Sequence, residues 1–171
     1  MNDLLMLSMM LDGPKYGYQL KREARLIMGQ ALHNNLVYPS LRRFLEAGWV
    51  SKKAVPGERG QTRQQYVLSA EGRRHLFENL SQFSEADASS EDAFHLRVGL
   101  FPALKPEVRE NIVAQREGWL QRRDQSMATL QAKMELGKFG GEIVRHMRKQ
   151  VEIELEWIRH LRRIAKSIQN V

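Results

Sequence analysis

Tyr38, Ser40, Arg42 and Arg43 stand in one short segment and carry the chemistry of phosphate contact. A guanidinium fork matches phosphate oxygens, and a phenol or hydroxyl adds a neutral hydrogen bond. The same run, Val37-Tyr38-Pro39-Ser40-Leu41-Arg42-Arg43-Phe44-Leu45-Glu46-Ala47-Gly48-Trp49-Val50, holds Val37, Leu41, Phe44 and Leu45 at helical spacing. Those four would face a core. The polar four lie mostly off that stripe and would face out. Pro39 limits how far upstream the helix can begin, because proline is comfortable only in a first turn. Gly48 stands where a helix stops and the backbone needs positive φ. Asn34 and Asn35 precede the segment; helix capping is their default role, and an amide reading adenine is the alternative.

A hairpin must follow. Trp49 to Val55 is a plausible strand, and Pro56-Gly57-Glu58-Arg59-Gly60 is turn chemistry. Thr62 to Leu68 makes a second strand, β-branched and aromatic toward its end. Arg59 and Arg63 sit at its tip, with Lys52 and Lys53 on the first strand. Four cations on so small a hairpin suit a wing resting on phosphates. A helix with a basic outer face followed at once by such a hairpin predicts the recognition unit of a winged-helix DNA reader.

The elements that hold this unit lie upstream. Asp3 to Leu11 is almost wholly apolar, with Asp3 as a possible N-cap. It is too short to cross a bilayer, which takes about 20 residues, and it lacks the flanks of a signal peptide. A buried first helix is expected there. Asp12-Gly13-Pro14 breaks it. A second helix is expected from Lys15 to Met28, with Leu20, Ala24 and Ile27 on one side and Lys21, Arg22 and Arg25 on the other.

Five ordered landmarks resemble the PadR family of transcriptional regulators. They are Gly13-Pro14-Lys15-Tyr16-Gly17-Tyr18-Gln19-Leu20, Val37-Tyr38-Pro39-Ser40-Leu41-Arg42-Arg43-Phe44, Glu46-Ala47-Gly48-Trp49-Val50, Arg63-Gln64-Gln65-Tyr66 and Leu68-Ser69-Ala70-Glu71-Gly72-Arg73. The resemblance covers about the first eighty residues. It implies a winged-helix DNA-binding domain, a helical C-terminal dimerisation domain and, in most members, repression. On it, Tyr16 and Tyr18 join Asn34, Asn35, Tyr38, Pro39, Ser40, Arg42, Arg43, Arg59 and Arg63 as the expected DNA-contacting set. One departure stands out. A Ser-x-Gly-Thr-like run commonly precedes the tyrosine, and here it is His33-Asn34-Asn35-Leu36. Paired amides before Val-Tyr resemble the AphA-like branch, which includes activators.

Charge is distributed to match. Residues 1–80 hold twelve Lys and Arg against seven Asp and Glu, and residues 81–171 hold fifteen against thirteen, within a net charge of +7. The excess lies where DNA would bind. There are no cysteines, hence no disulfide, thiolate or Cys-metal chemistry. No Gly-rich phosphate loop, nucleophile elbow or paired catalytic carboxylates can be found, so neither an enzyme nor a cofactor is expected. A cytoplasmic protein without membrane association is the default.

The second half reads as helical. Ser69 is a good N-cap for a helix to about Leu80. Ser84-Glu85-Ala86-Asp87-Ala88-Ser89-Ser90 is small and acidic and reads as a linker between a domain at 1–83 and one at 84–171. Ser90 opens a further helix, and Lys105-Pro106-Glu107 a long one. Val113, Leu120, Met127 and Met134 recur every seven residues, then Gly137, Gly140 and Gly141 interrupt. A last helix is expected from about Glu142 to Ile168. Two such amphipathic helices leave apolar surface that needs another chain. Glu154-Leu155-Glu156-Trp157-Ile158 resembles a run that lies in the dimer interface of the PadR family. Phe94, Phe101, Leu155, Trp157, Ile158, Leu161 and Ile164 are therefore the expected homodimer contacts. Glu142/His146 and Glu156/His160 have metal-compatible spacing, but a salt-bridged helix surface explains both.

The chain is thus expected to be mainly α: an N-terminal winged helix-turn-helix with a two-stranded wing, plus a C-terminal α-helical dimerisation domain. Its expected partners are a double-stranded DNA operator and a second copy. A small aromatic or hydrophobic effector could seat near Phe94, Phe101, Trp119 or Trp157, around a cleft between domains. A winged-helix module that binds protein and has lost DNA binding is the competing class, favoured only by Leu36.

Overall fold

The computed structural model describes residues 2–28, 34–56 and 61–168. They form two compact units, Met1–Gln82 and Phe83–Val171. In the first unit, α1 (Asn2–Met9) continues as a 3-10 turn over Met10–Asp12. Leu5, Met6, Leu7, Met9 and Met10 are all buried, which is why this stretch is apolar nearly throughout. Asp3 is not an N-cap: it lies inside the first turn of α1. Lys15–Tyr16 is not helical either. These two residues form a short strand, β1, and α2 runs from Gly17 to Met28.

α3 (Asn34–Glu46) is the helix that the apolar spacing predicts. Val37, Leu41 and Phe44 are buried against the rest of the unit. It begins further upstream than Pro39 suggested, and Pro39 lies in its interior. Pro39 cannot donate to the Asn35 carbonyl, and both residues are exposed, so that carbonyl is open to water. Its end is a Schellman motif. Gly48 adopts φ 72, its N–H reaches the Leu45 carbonyl at 3.1 Å, and the Trp49 N–H reaches the Phe44 carbonyl at 2.9 Å. The Trp49 and Phe44 rings meet with centroids 5.7 Å apart, the apolar contact that such a cap brings.

β2 (Val50–Pro56) and β3 (Thr62–Leu68) form the wing, antiparallel, in register from Val50↔Leu68 to Pro56↔Thr62. β1 adds to the other edge of β3, pairing Lys15 with Tyr66 and Tyr16 with Gln65. The sheet order is β1-β3-β2, so the hairpin carries a third strand. α4 (Ala70–Ser81) starts at Ser69, whose hydroxyl accepts from the Gly72 N–H at 2.9 Å. The Ser69 N–H also donates to the Trp49 carbonyl at 2.9 Å, which closes the base of the wing.

In the second unit, the expected linker is a helix. α5 (Glu85–Ser89) is held by a full capping box between Ser84 and Asp87. α6 (Glu91–Gly99) starts at Ser90, whose hydroxyl caps the Ala93 N–H. Burial alone pushes the Asp87 carboxyl up, but hydrogen bonds from Ser84 and the Arg97 guanidinium 3.5 Å away hold it below its ordinary value. α7 (Pro106–Lys133) and α8 (Gly137–Ile168) are antiparallel and pack along their length. Gly137, at φ 60, makes the turn, whereas Gly140 and Gly141 are helical and α8 starts five residues before the expected Glu142. Val113, Leu120 and Met127 are buried, but Met134 falls beyond the helix and is exposed.

The core of this unit is built around Phe94, Ile112, Leu120 and Ile158. Arg116 lies within it, only 3% exposed. Its Nε and Nη2 donate to the two Glu154 oxygens at 2.7 and 2.8 Å, and its Nη1 to the Ala88 carbonyl at 2.6 Å. A charge so deep is tolerable only with such full pairing.

Candidate nucleic-acid interface

All four tyrosines of the chain lie in the first unit. Tyr16 and Tyr18 flank Gly17 across the start of α2, and their rings stack at 5.5 Å and 13°. The Tyr38 ring comes from the third position after Asn35 on α3 and lies over Gly17: a Cβ there would stand 3.0 Å from Tyr38 Cε1. Glycine is thus what lets α2 and α3 approach at this point. Tyr18 and Tyr38 are each about half exposed, at 51% and 50%. Tyr66, by contrast, is buried; that burial and the neighbouring Tyr38 phenol raise its pKa above the usual tyrosine value.

α3 presents Asn35, Tyr38, Pro39, Arg42 and Arg43 outward. Ser40 does not face out as the spacing suggested. It is 4% exposed, because the apolar stripe is wide enough to include its position. Its hydroxyl lies 3.3 Å from Asp3 Oδ1. Arg43 Nη2 reaches Asp3 Oδ1 at 2.7 Å and Oδ2 at 2.6 Å. Arg42 has no ion pair among the described residues. The side chain of Asn34, and Arg59 with the rest of the hairpin tip, lie outside the described residues.

The wing sorts its side chains by register. Paired residues share a sheet face, as do residues two apart. Tyr16, Gln65 and Lys53 therefore form a row across one face, with Arg63 and Val55 as the next row toward the tip. Lys15, Tyr66 and Lys52 form a row on the other face, where Lys15 is paired with Glu23 at 2.9 Å. Lys52 and Lys53 are exposed and have no ion pair among the described residues, and Arg63 is half-buried. The hairpin cations are evident in the sequence, but their division between faces is not. Strand alternation would have supplied it once β1 was known. Asp3 was missed as a partner of α3, since an acid at the head of an apolar helix reads first as a cap.

The second unit carries the expected dimer contacts in two groups. Phe94 and Ile158 are fully buried in their own chain and Phe101 nearly so, because α5, α6, α7 and α8 enclose them. They have little surface left for a partner. Leu155, Trp157 and Leu161 are half-buried and Ile164 is exposed. Phe139, Ile143 and Ile153 extend the stripe of Trp157, Leu161 and Ile164 along α8, with Phe139 87% exposed, whereas Leu155 lies on another face of the helix. Trp157 packs edge-on against Phe94 and His95, at 5.7 and 5.3 Å. It also walls a groove of 720 Å³ with Trp119, His95, Arg123, Met147 and Ile153. Glu142 pairs with Arg145, and His146 and His160 are exposed. No three His, Asp or Glu side chains converge as a metal site among the described residues, and no helix there is long and apolar enough to cross a membrane.

Residues 6–78 match the transcriptional regulator PadR-like family. No curated protein matches the chain. Among solved structures, a transcriptional regulator from Thermoplasma acidophilum is 27% identical, over 46% of this chain and 75% of that one, with a TM-score of 0.44. A PadR family transcription regulator from Clostridium difficile is 23% identical, over 44% and 78%, with a TM-score of 0.39. Bacillus subtilis PadR in complex with operator DNA is 14% identical, over 95% and 98%, with a TM-score of 0.48.

Proposed function

From a chain whose residues 6–78 belong to the transcriptional regulator PadR-like family, we infer a homodimeric, sequence-specific DNA-binding regulator that acts as a repressor. One observation supports it most. The half-exposed Tyr18 and Tyr38 lie where the heads of α2 and α3 adjoin, Arg42, without an ion pair among the described residues, lies one turn further along α3, and Lys53, Gln65 and Tyr16 line one face of the sheet that carries the wing. Phenols and cations without carboxylate partners suit phosphate oxygens, and α3 would enter the major groove by its N-terminal part. Asn35, exposed at that end, is the residue best placed to meet a base edge.

The apolar stripe of α8, in which Phe139, Ile143, Ile153 and Ile164 are exposed and Trp157 is half-buried, is the surface that would meet the second copy. A two-fold dimer asks for a pseudo-palindromic site with half-sites about 10 or 20 bp apart. The groove of Trp119 and Trp157 suits a planar aromatic effector, which would stack on indole and tune DNA affinity.

A gel shift on the upstream region of the protein's own gene tests the reading. A retarded complex that weakens steeply with salt is expected, because lysines and arginines release counterions. Absence of any DNA complex at low salt would instead favour a protein-binding module, for which the apolar Leu36 near the head of α3 is the supporting feature. Transcript from that promoter in a deletion strain separates repression, where it rises, from activation, where it falls. Quenching of tryptophan emission by an aromatic acid or an aromatic cation tests the effector.

A further inference from the structure

The Asp3 carboxylate stands against the reading helix, and nothing in the proposed function uses it. Both of its oxygens lie within 2.7 Å of Arg43 Nη2, and Oδ1 also lies 3.3 Å from the buried Ser40 hydroxyl. A shallow depression between α1 and α3 is lined by Asn2, Asp3, Asn35, Leu36, Pro39, Ser40 and Arg43. It opens on the outward side of α3, beside Pro39 and Asn35. Its charge pattern is unlike the rest of that face: an acid meets an incoming duplex where a cation otherwise would.

Carboxylate and phosphate compete for one guanidinium, since both present planar or near-planar oxygen pairs to the same fork. The side chains here are about half exposed, so the ion pair itself adds little to folding stability. Its effect on an approaching polyanion is larger, because it removes one phosphate ligand and adds one repulsive charge. We propose that Asp3 is a specificity-determining residue of the DNA face, which withholds Arg43 from the phosphates and so suppresses binding to DNA of arbitrary sequence. The loss falls on sequence-independent binding, which rests on phosphate neutralisation, more than on contacts to base edges. The inference rests on α3 being the DNA-contacting helix.

The test uses the full-length protein and a fluorescent 30-bp duplex of random sequence, titrated across a salt series. Asp3→Asn, near-isosteric and still able to hydrogen-bond Ser40, should bind this duplex several-fold more tightly at low salt. Its log–log salt slope should steepen by about 0.9, the value for one further phosphate. Asp3→Glu should keep the wild-type slope. Asp3→Asn/Arg43→Gln should return to it, and Glu46→Gln, which removes an exposed acid of α3 that holds no cation among the described residues, should leave the slope unchanged, as a general gain from removing any negative charge would not. If Asp3→Asn does not fold, Asp3→Ser, neutral and with a hydroxyl oxygen that can accept a hydrogen bond, is read the same way. An unchanged slope in the neutral variants, or a gain that survives loss of Arg43, overturns the proposal. Wild-type protein that binds neither this duplex nor the upstream region overturns the proposed function itself, so the two failures are distinguishable.

Discussion

The two units differ in how far acids are placed against the cations that matter to each, although Arg74 of the first unit, on α4, is paired with Glu71. In the second unit arginines meet acids: Arg97 with Asp87, Arg116 with Glu154, Arg122 with Glu85, Arg148 with Asp124, and Arg162 with both Glu110 and Glu117. Those pairs link α5 to α6 and α7, and α7 to α8. In the first unit Arg42, Lys52 and Lys53 lie exposed without an ion pair among the described residues, and Arg43 alone on α3 is held by an acid. Net charge alone does not tell these uses apart. What separates them is whether an acid is built within reach of each cation. Where it is, the charge is spent inside the fold; where it is not, the charge is available to a polyanion.

The comparison breaks most visibly at Arg116. Its replacement by Ala leaves Glu154 without its bidentate partner and the Ala88 carbonyl without its donor. Breaking a buried pair from one side costs roughly 3–5 kcal/mol. Urea unfolding should show that loss in the second unit. If Arg116→Ala unfolds at the wild-type midpoint, the pair is not the internal strut described.

Trp157 tests how the second unit meets its copy. Trp157→Ala should cost on the order of 2–4 kcal/mol, as a central aromatic contact does. Sedimentation at several concentrations should show weakened dimers, and DNA binding should weaken without a change of preferred sequence. A dimer of unaltered strength with only a lowered melting temperature would assign Trp157 to Phe94 and His95 of its own chain.

The first unit should behave in the contrary manner. Replacing Arg42, Lys52 and Lys53 by Ala should leave the melting temperature alone and weaken DNA binding on all sequences. Each lost phosphate contact should reduce the magnitude of the salt slope by about 0.9. A variant that melts lower but binds as before would mean that these cations serve the fold after all.

Acid provides a finer test. The folded Asp87 carboxyl titrates below its unfolded value, through Ser84 and Arg97 and against the effect of burial. Its stabilisation is therefore present above the unfolded pKa, about pH 4, and is lost as pH falls through the lower folded value. Asp87→Asn should flatten that part of the acid profile of thermal melting. The smallest effect is expected at Glu85→Gln, since both ends of its pair with Arg122 are mostly exposed and such pairs are screened by water. Melting should not change measurably.

What could be read from sequence follows from how many residues reinforce one signal. α3 and β3 were legible because several residues repeat the period, and the Gly48 stop is required by backbone geometry. β1 was not, since two residues cannot display a period, and its pairing with Tyr66 and Gln65 is a long-range event. α5 looks like a linker in sequence because its residues are small and polar; its stability comes from the Ser84–Asp87 box and from α7, not from an apolar face. Gly140 and Gly141 looked like breaks, and packing of α8 on α7 overrides their poor helix propensity. On α3, the outward placement of Tyr38 and Arg42 was readable. The burial of Ser40 and the grip of Asp3 on Arg43 were not, because both depend on where α1 lands.

The junction at the foot of the wing has one more consequence. Trp49 and Ser69 are tied by a backbone hydrogen bond, the Ser69 hydroxyl lies 2.6 Å from the Gly48 carbonyl, and a Cβ at Gly72 would stand 2.0 Å from the Trp49 carbonyl oxygen. Entry and exit of the hairpin are fixed at one point by groups that lie outside it. Lengthening a loop whose ends are already held costs little, roughly 0.6 kcal/mol for each doubling. Beyond the rungs that β1 shares, the hairpin from Ala54 to Gln64 thus behaves as an exchangeable cartridge: tips of other lengths and charges can be grafted there, and phosphate reach re-engineered without disturbing the β1 pairing or the buried Val50 and Tyr66.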